Sequence, residues 1–141
     1  MRMIPSPDTF RLESGDLGTW MCEQISLQIN DMRRHGIKFA GVLFDSIFSS
    51  DGVIPGTPGF LKRVVDLVHA EGGLYIADEV QPGFCRTGDA FWGFARHGIT
   101  PDIVLDQSDY YKLRPYLLNE ENDIQIQAAK KELLKIIEGV N

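Results

Sequence analysis

The spacing of apolar side chains divides the first hundred residues into alternating helices and strands. Apolar residues recur at helical spacing over 19–35 and 59–71, and a shorter helix is predicted over 87–97. Each helical stretch is followed by a short, nearly unbroken apolar run, at 39–44, 74–77 and 102–105. Such runs are typical of strands buried on both faces. The order therefore predicts an α/β fold of three layers, in which a small, mostly parallel sheet is flanked by helices.

The texture of the chain changes after Leu105. Residues 106–122 are polar and rich in tyrosine, and 123–138 are predicted to form an amphipathic helix. We therefore expect two parts: a first domain over 1–105 that contains the sheet, and a divergent C-terminal segment over 106–141.

The composition is that of an ordinary globular protein. The 141 residues are 43% hydrophobic and carry a formal net charge of -6, which argues against nucleic acid or an anionic membrane surface as the main partner. No apolar stretch is long enough to span a bilayer, and residues 1–10 lack the apolar core of a secretory signal. Two widely separated cysteines, Cys22 and Cys85, indicate reduced thiols. We expect a soluble, cytoplasmic protein.

The residues that say most about function follow the apolar run at 74–77. Asp78 closes this predicted strand, and in open parallel sheets ligands bind beyond the carboxyl ends of the strands. An apolar strand that ends in Asp-Glu also suits a nucleoside triphosphatase. The phosphate loop that such an enzyme needs upstream is missing, as is a Gly-x-Gly-x-x-Gly dinucleotide fingerprint. From the residues alone, Asp78 is either a carboxylate that caps a turn or a ligand for a cofactor.

Histidine and cysteine give no second candidate. His35, His69 and His97 each fall near the end of a predicted helix, where a surface imidazole suits the helix dipole. No cluster of histidine and cysteine has the spacing of metal ligands, so we expect no metal.

Three segments of the chain carry a family resemblance. They are Ile76-Ala77-Asp78-Glu79-Val80-Gln81, Phe91-Trp92-Gly93-Phe94 and Gly98-Ile99-Thr100-Pro101-Asp102-Ile103-Val104. They resemble the central part of the large domain of class III aminotransferases, which are fold-type I enzymes dependent on pyridoxal phosphate. The resemblance covers residues 1 to about 104 and implies amino-group transfer between an amine or amino acid and a 2-oxo acid. It also implies a homodimer, because the family's active sites borrow residues across a dimer interface.

The resemblance assigns roles to the residues that follow the second strand. Asp78 is expected to pair with the protonated pyridine nitrogen of the cofactor, which keeps the ring able to draw electrons from the substrate. Val80 is expected to pack against one face of the ring, and Gln81 to reach its phenolic oxygen. Glu79 and Arg86 are expected to hold the loop through local polar contacts.

The chain departs from the family where the chemistry needs a lysine. The family carries its Schiff-base lysine just after the strand that matches 102–104, and an ungapped match puts Ser108 at that position. Lys112 would serve only in a rebuilt loop, and the family's phosphate-binding turn is not found. The catalytic residues are therefore unknown, and we expect a truncated piece of the large domain with little or no catalysis.

Three alternatives stay open. The segment 45–50 (Asp-Ser-Ile-Phe-Ser-Ser) is similar to the branch of the family that includes phospho-lyases acting on amino-alcohol phosphates. The amphipathic stripe over 124–137 suits a non-enzymatic interaction module. Finally, a separate polypeptide could supply the missing lysine to a site that this chain completes.

Overall fold

A three-stranded parallel sheet organises the described part of the chain, as the sequence predicts. The structure, a computed structural model, describes residues 1–9 and 16–106. The strands are β1 (Gly41–Phe44), β2 (Leu74–Asp78) and β3 (Ile103–Leu105), in the order β1-β2-β3. The helices are α1 (Leu17–Arg34) and α2 (Leu61–Ala70), with two short 3-10 helices at Ser49–Asp51 and Gly93–His97. The α/β class and the parallel pairing are confirmed.

Helix α1 is capped at its N-terminus by Asp16. The Asp16 side chain accepts hydrogen bonds from the backbone N–H of Thr19, at 3.0 Å, and from its hydroxyl, at 2.8 Å. A carboxylate in this position satisfies amide groups that the first helical turn leaves without a partner. The helix ends just before Gly36, whose φ of 67° suits glycine in the left-handed region.

The predicted helix over 87–97 is shorter in the structure. Only Gly93–His97 is helical, and it is a 3-10 helix. The chain turns at Gly88, where φ is 86°, and Trp92 is extended with φ -106° and ψ 136°. Both conformations lie outside the right-handed helical region, so residues 88–92 form bends and the helix begins only at Gly93.

The two long helices cover one face of the sheet. Helix α1 packs against α2, and α2 packs against β2. On this covered face, Tyr75 and Ala77 are fully buried. They join one core whose members come from both helices, the strands and the connecting loops: Leu17, Met21, Ile25, Ile29, Phe48, Phe60, Leu61, Val64, Val65, Tyr75, Ala77 and Ile99.

The opposite face of the sheet is apolar but partly exposed. The register aligns Leu43 with Ile76 and Ile76 with Ile103, so these residues form one row across the three strands. Leu43 is 55% exposed, Leu74 45% and Ile103 41%. We call this set, Leu43, Leu74, Ile76 and Ile103, the open face. The second helical layer of the expected three is absent among residues 1–9 and 16–106.

Candidate functional site

The predicted cofactor residues lie together at the carboxyl end of the middle strand. Asp78 is the last residue of β2 and is half-buried. Its Oδ1 accepts a hydrogen bond from the Val80 N–H at 3.0 Å. Val80 is half-buried and Gln81 is exposed. An ionised carboxylate can accept several hydrogen bonds, so Asp78 caps its turn and keeps the capacity to pair with a cation.

Glu79 points the other way, into the protein. Its carboxylate is fully buried and accepts hydrogen bonds from the backbone N–H groups of Gly93, at 2.7 Å, and Phe94, at 3.0 Å. Burial raises the pKa of Glu79, and the two amide donors oppose that rise. The expectation that Glu79 is structural is confirmed.

Arg86 closes the loop that follows β2. Its Nη1 donates to the carbonyl oxygens of Val80, at 2.6 Å, and Gln81, at 3.1 Å. The loop is strained as well as tied, because Phe84 and Cys85 both have left-handed backbones, with φ of 60° and 61°. The local polar contacts predicted for Arg86 are confirmed, and they fix the backbone of the two residues proposed to touch the cofactor.

A second carboxylate lies beside Asp78 at the same edge of the sheet. Asp45 follows β1 directly, and the register that pairs Phe44 with Ala77 brings it level with Asp78. Its oxygens accept from the Ile47 N–H at 2.8 Å, the Ser49 N–H at 2.9 Å and the Ser49 hydroxyl at 2.7 Å. These hydrogen bonds of Asp45 stabilise the loop after β1.

The surface position predicted for His97 is wrong. Its side chain is only 2% exposed, whereas His35 and His69 are exposed as predicted. Its Nδ1 accepts the Gly59 N–H at 3.2 Å, and Nε2 lies 3.3 Å from the Ser46 carbonyl oxygen, so the neutral ring carries its hydrogen on Nε2. Burial lowers the pKa of His97 to about 4. The aromatic residues that precede His97 are the sequence signal that could have indicated its burial.

Two of the cavities formed by the described residues open on the sheet, and neither of these is lined by Asp78, Val80 or Gln81. One of about 300 Å³ lies between α1 and the start of β1. The other, of about 380 Å³, lies where residues 1–6 pass the end of β1.

Residues 1–9 and 16–106 hold no group of three metal-ligating side chains. In the same residues, no helix is both long and apolar enough to cross a bilayer.

One known protein family matches this chain, over nearly the same residues as the structure describes. The model of the family called aminotransferase class-III matches residues 1–106. The chain belongs to the class III aminotransferases. Members of this family depend on pyridoxal phosphate and act on amines and 2-oxo acids.

Two curated relatives illustrate the match. Alanine–glyoxylate aminotransferase 2 homolog 2, mitochondrial, from Arabidopsis thaliana is 40% identical over 101 residues, which are 70% of this chain and 20% of that protein. Human alanine–glyoxylate aminotransferase 2, mitochondrial, is 51% identical over 65 residues, which are 46% of this chain and 13% of that protein. This chain therefore spans about a fifth or less of the length of these relatives.

Solved structures agree on the fold. A phospholyase from Arthrobacter, solved in complex with phosphoethanolamine, is 31% identical with a TM-score of 0.61, covering 73% of this chain and 25% of that one. An (S)-enantioselective omega-transaminase from Thermomicrobium roseum has a TM-score of 0.63 at 24% identity, covering 73% of this chain and 23% of that one. Identity at this second level supports the fold alone.

Of the groups that a pyridoxal phosphate site needs, the described residues supply a carboxylate but no neighbouring lysine. Asp78 offers a carboxylate to a ring nitrogen, but the lysines in the described residues do not stand beside it: Lys38 precedes β1, and Lys62 pairs with Asp66 on α2. Ser108, Lys112 and the predicted helix over 123–138 lie outside the described residues, so the structure tests none of the predictions made for them.

Proposed function

We propose that this chain forms one wall of a pyridoxal phosphate site in a class III aminotransferase, with Asp78 facing the pyridine nitrogen. The observation that carries the proposal is the family match over 1–106 together with the position of Asp78 at the carboxyl end of the middle strand. Ligands of open parallel sheets bind beyond this end of the strands. The proposed reaction is amino-group transfer between an amine or amino acid and a 2-oxo acid.

In this proposal, the residues of this chain position the cofactor and polarise its ring. The Asp78 carboxylate would hold a proton on the pyridine nitrogen, and the hydrogen bond from the Val80 N–H fixes the orientation of that carboxylate. Val80 would contribute an apolar side chain to the site, and Gln81 would offer its amide to the phenolic oxygen. Bound pyridoxal phosphate supplies the electron sink for the substrate carbanion. Arg86 holds the backbone carbonyls of Val80 and Gln81, so both contacts depend on that guanidinium.

Covalent catalysis needs an amine that the described residues do not place at this edge. We therefore expect this chain to bind pyridoxal phosphate weakly and without a Schiff base. In a titration of the full chain followed by the absorbance of the cofactor, Asp78→Asn should weaken binding by about tenfold, because a neutral amide cannot hold the ring proton. The matched control is Asp66→Asn, which makes the same change on an exposed face of α2.

Borohydride reduction tests the expected lack of catalysis, and the binding titration separately tests the role of Asp78. After incubation with pyridoxal phosphate, reduction and mass spectrometry should find no stoichiometric adduct. A stoichiometric adduct on Lys112 would contradict the expected lack of catalysis. Equal affinity in the Asp78→Asn variant and the parent chain would contradict the role of Asp78.

A phospho-lyase is the second candidate, and the Arthrobacter structure favours it. That protein was solved with phosphoethanolamine, and it is 31% identical to this chain. The loop over 45–50, which motivates the same interpretation from the sequence, is folded around Asp45. The aminotransferase interpretation agrees better with the curated relatives.

The two candidates are distinguished by transplanting the loop. Residues 45–50 of this chain are placed at the matching position of a full-length alanine–glyoxylate aminotransferase 2. Phosphate release from phosphoethanolamine by the chimera, absent in its parent, supports the phospho-lyase. Retained transamination without phosphate release supports the aminotransferase.

A further inference from the structure

One short element contacts both loops at the carboxyl edge of the sheet. The 3-10 helix Gly93–His97 is held at its first turn by the Glu79 carboxylate, which follows β2. At its other end, His97 bonds to the Ser46 carbonyl and the Gly59 N–H, both in the connection from β1 to α2. Arg96 adds bonds to the carbonyls of Pro55, at 2.5 Å, and Gly56, at 3.2 Å.

Both anchors of this helix are buried. Glu79 is fully buried and His97 is 2% exposed. A buried polar group that loses its partner leaves an unsatisfied donor or acceptor away from water, so detaching either end is unfavourable. The imidazole of His97 also packs edge-on against Phe60, with ring centroids 5.0 Å apart, and Phe60 belongs to the core.

Gly93 interlocks the two loops directly. A Cβ atom at this position would lie 2.5 Å from Cβ of Pro82 and 2.6 Å from Oγ of Ser46. Pro82 lies in the loop after β2 and Ser46 in the loop after β1. The backbone of Gly93 is therefore wedged between them, at a distance that leaves no room for a side chain.

We propose that Gly93–His97 is a clip that couples the two loops, so that Glu79 and His97 act as positioning residues for the site around Asp78. Loosening either anchor then moves both loops, and the change reaches Asp78, Val80 and the loop after β1 together. The coupling stands on the contacts alone. Its consequence for the cofactor rests on the proposed function.

Acid should release the clip at its His97 end. Protonation puts a hydrogen on Nδ1, where it faces the N–H of Gly59, and two donors cannot bond to each other. The charged group facing His97 is the Arg96 guanidinium, which further disfavours the protonated ring, while the Ser46 carbonyl favours it. At the other end, Glu79 faces the carboxylates of Asp45 and Asp78.

Hydrogen exchange on the full chain tests the coupling. Glu79→Gln keeps the shape of the side chain but leaves one carbonyl oxygen for two amides. It should speed exchange at Gly93 and Phe94, and also by about tenfold at Gly59, which Glu79 does not touch. The matched control, Glu23→Gln, makes the same change on the exposed side of α1 and should alter none of these amides.

A variant at the other end of the clip and a pH series complete the test. His97→Phe should speed exchange at Gly93 and Phe94, which are bonded to Glu79 and not to His97. If it fails to fold, the parent chain gives the answer: Gly59 exchange, corrected for the intrinsic rate, should rise between pH 6.5 and pH 4 together with that of Gly93. Changes confined to the amides bonded to the altered side chain would overturn the clip.

Cofactor binding gives a separate readout. Pyridoxal phosphate affinity should fall several-fold in Glu79→Gln and stay unchanged in Glu23→Gln. Coupled exchange with unchanged affinity would remove the positioning role and keep the clip. If the parent chain itself binds no pyridoxal phosphate, the proposed function fails, and the exchange data still decide whether the two loops are coupled.

Discussion

The two faces of the sheet come from the same three apolar runs but have opposite surroundings. On the covered face, Tyr75 and Ala77 are fully buried beneath α1 and α2. On the open face, Leu43 and Ile103 are aligned across β2 and remain about half exposed. Parallel sheets are normally covered on both sides. The difference teaches that apolar sequence alone does not show which face carries the stability of the described unit; the packed neighbours do.

A matched pair of leucines tests this difference most strongly. Leu61 on α2 is fully buried, and Leu43 on the open face is 55% exposed. Leu61→Ala should lower the free energy of unfolding by about 2–5 kcal/mol, because it removes buried methyl groups and leaves a cavity. Leu43→Ala should cost less than about 1 kcal/mol, since half of its side chain is already in solvent.

Urea unfolding of both variants measures the two costs. The slope of free energy against urea should stay the same, which indicates an unchanged unfolded state. A cost for Leu43→Ala as large as that for Leu61→Ala would mean that the open face is covered in solution.

The buried histidine gives the next largest effect. In the folded chain the pKa of His97 is lowered from 6.5 to about 4, so between these values the unfolded chain binds more protons. Stability should therefore be full above about pH 6.5 and fall as the pH drops toward 4. The difference between the two pKa values corresponds to about 3 kcal/mol.

The effect of His97 is isolated by comparing the parent chain with His97→Phe. The quantity compared is the slope of unfolding free energy against pH. His97→Phe should flatten the dependence of unfolding free energy on pH in this window, whatever its effect on absolute stability. The raised pKa of Glu79 acts in the opposite sense, since its contribution falls as the pH rises through its titration, and it is common to both proteins. An unchanged slope in His97→Phe would contradict the buried neutral ring.

The sequence predicted the covered face better than it predicted the edge of the sheet. Helix and strand positions follow from local periodicity, so α1, α2 and the strands are found within a few residues of their predicted bounds. The contact between His97 and Gly59 joins residues 38 positions apart, and no local pattern reports it. Asp78 could be recognised as a strand-end carboxylate, but which carboxylates turn inward, as Glu79 does, depends on the packing of Gly93 and Phe94.

On the covered face, the hydroxyl of Tyr75 lowers the stability of the folded chain. It is buried and has no hydrogen-bond partner in the described part of the chain, and burial among carboxylates raises the pKa of Tyr75. Tyr75→Phe keeps the ring, which packs 4.8 Å from Phe44, and removes the unpaired oxygen. We expect a gain of about 1 kcal/mol in thermal or urea unfolding. Tyr75→Leu is the control, and it should destabilise because the ring contact is lost. A loss of stability in Tyr75→Phe would mean that the hydroxyl has a partner.

The smallest change in free energy, and the sharpest test of the open face, comes from adding charge to it. Leu43→Lys should alter the free energy of unfolding by only about 0.5 kcal/mol, because Leu43 is 55% exposed and a lysine can place its charge in solvent. It should nevertheless reduce binding of a hydrophobic dye and self-association in sedimentation, since it interrupts the row formed with Ile76 and Ile103. Leu27→Lys is the matched control: Leu27 is 59% exposed on α1 and lies outside that row. Equal loss of dye binding in both variants would show that the dye responds to net charge and not to a continuous apolar face.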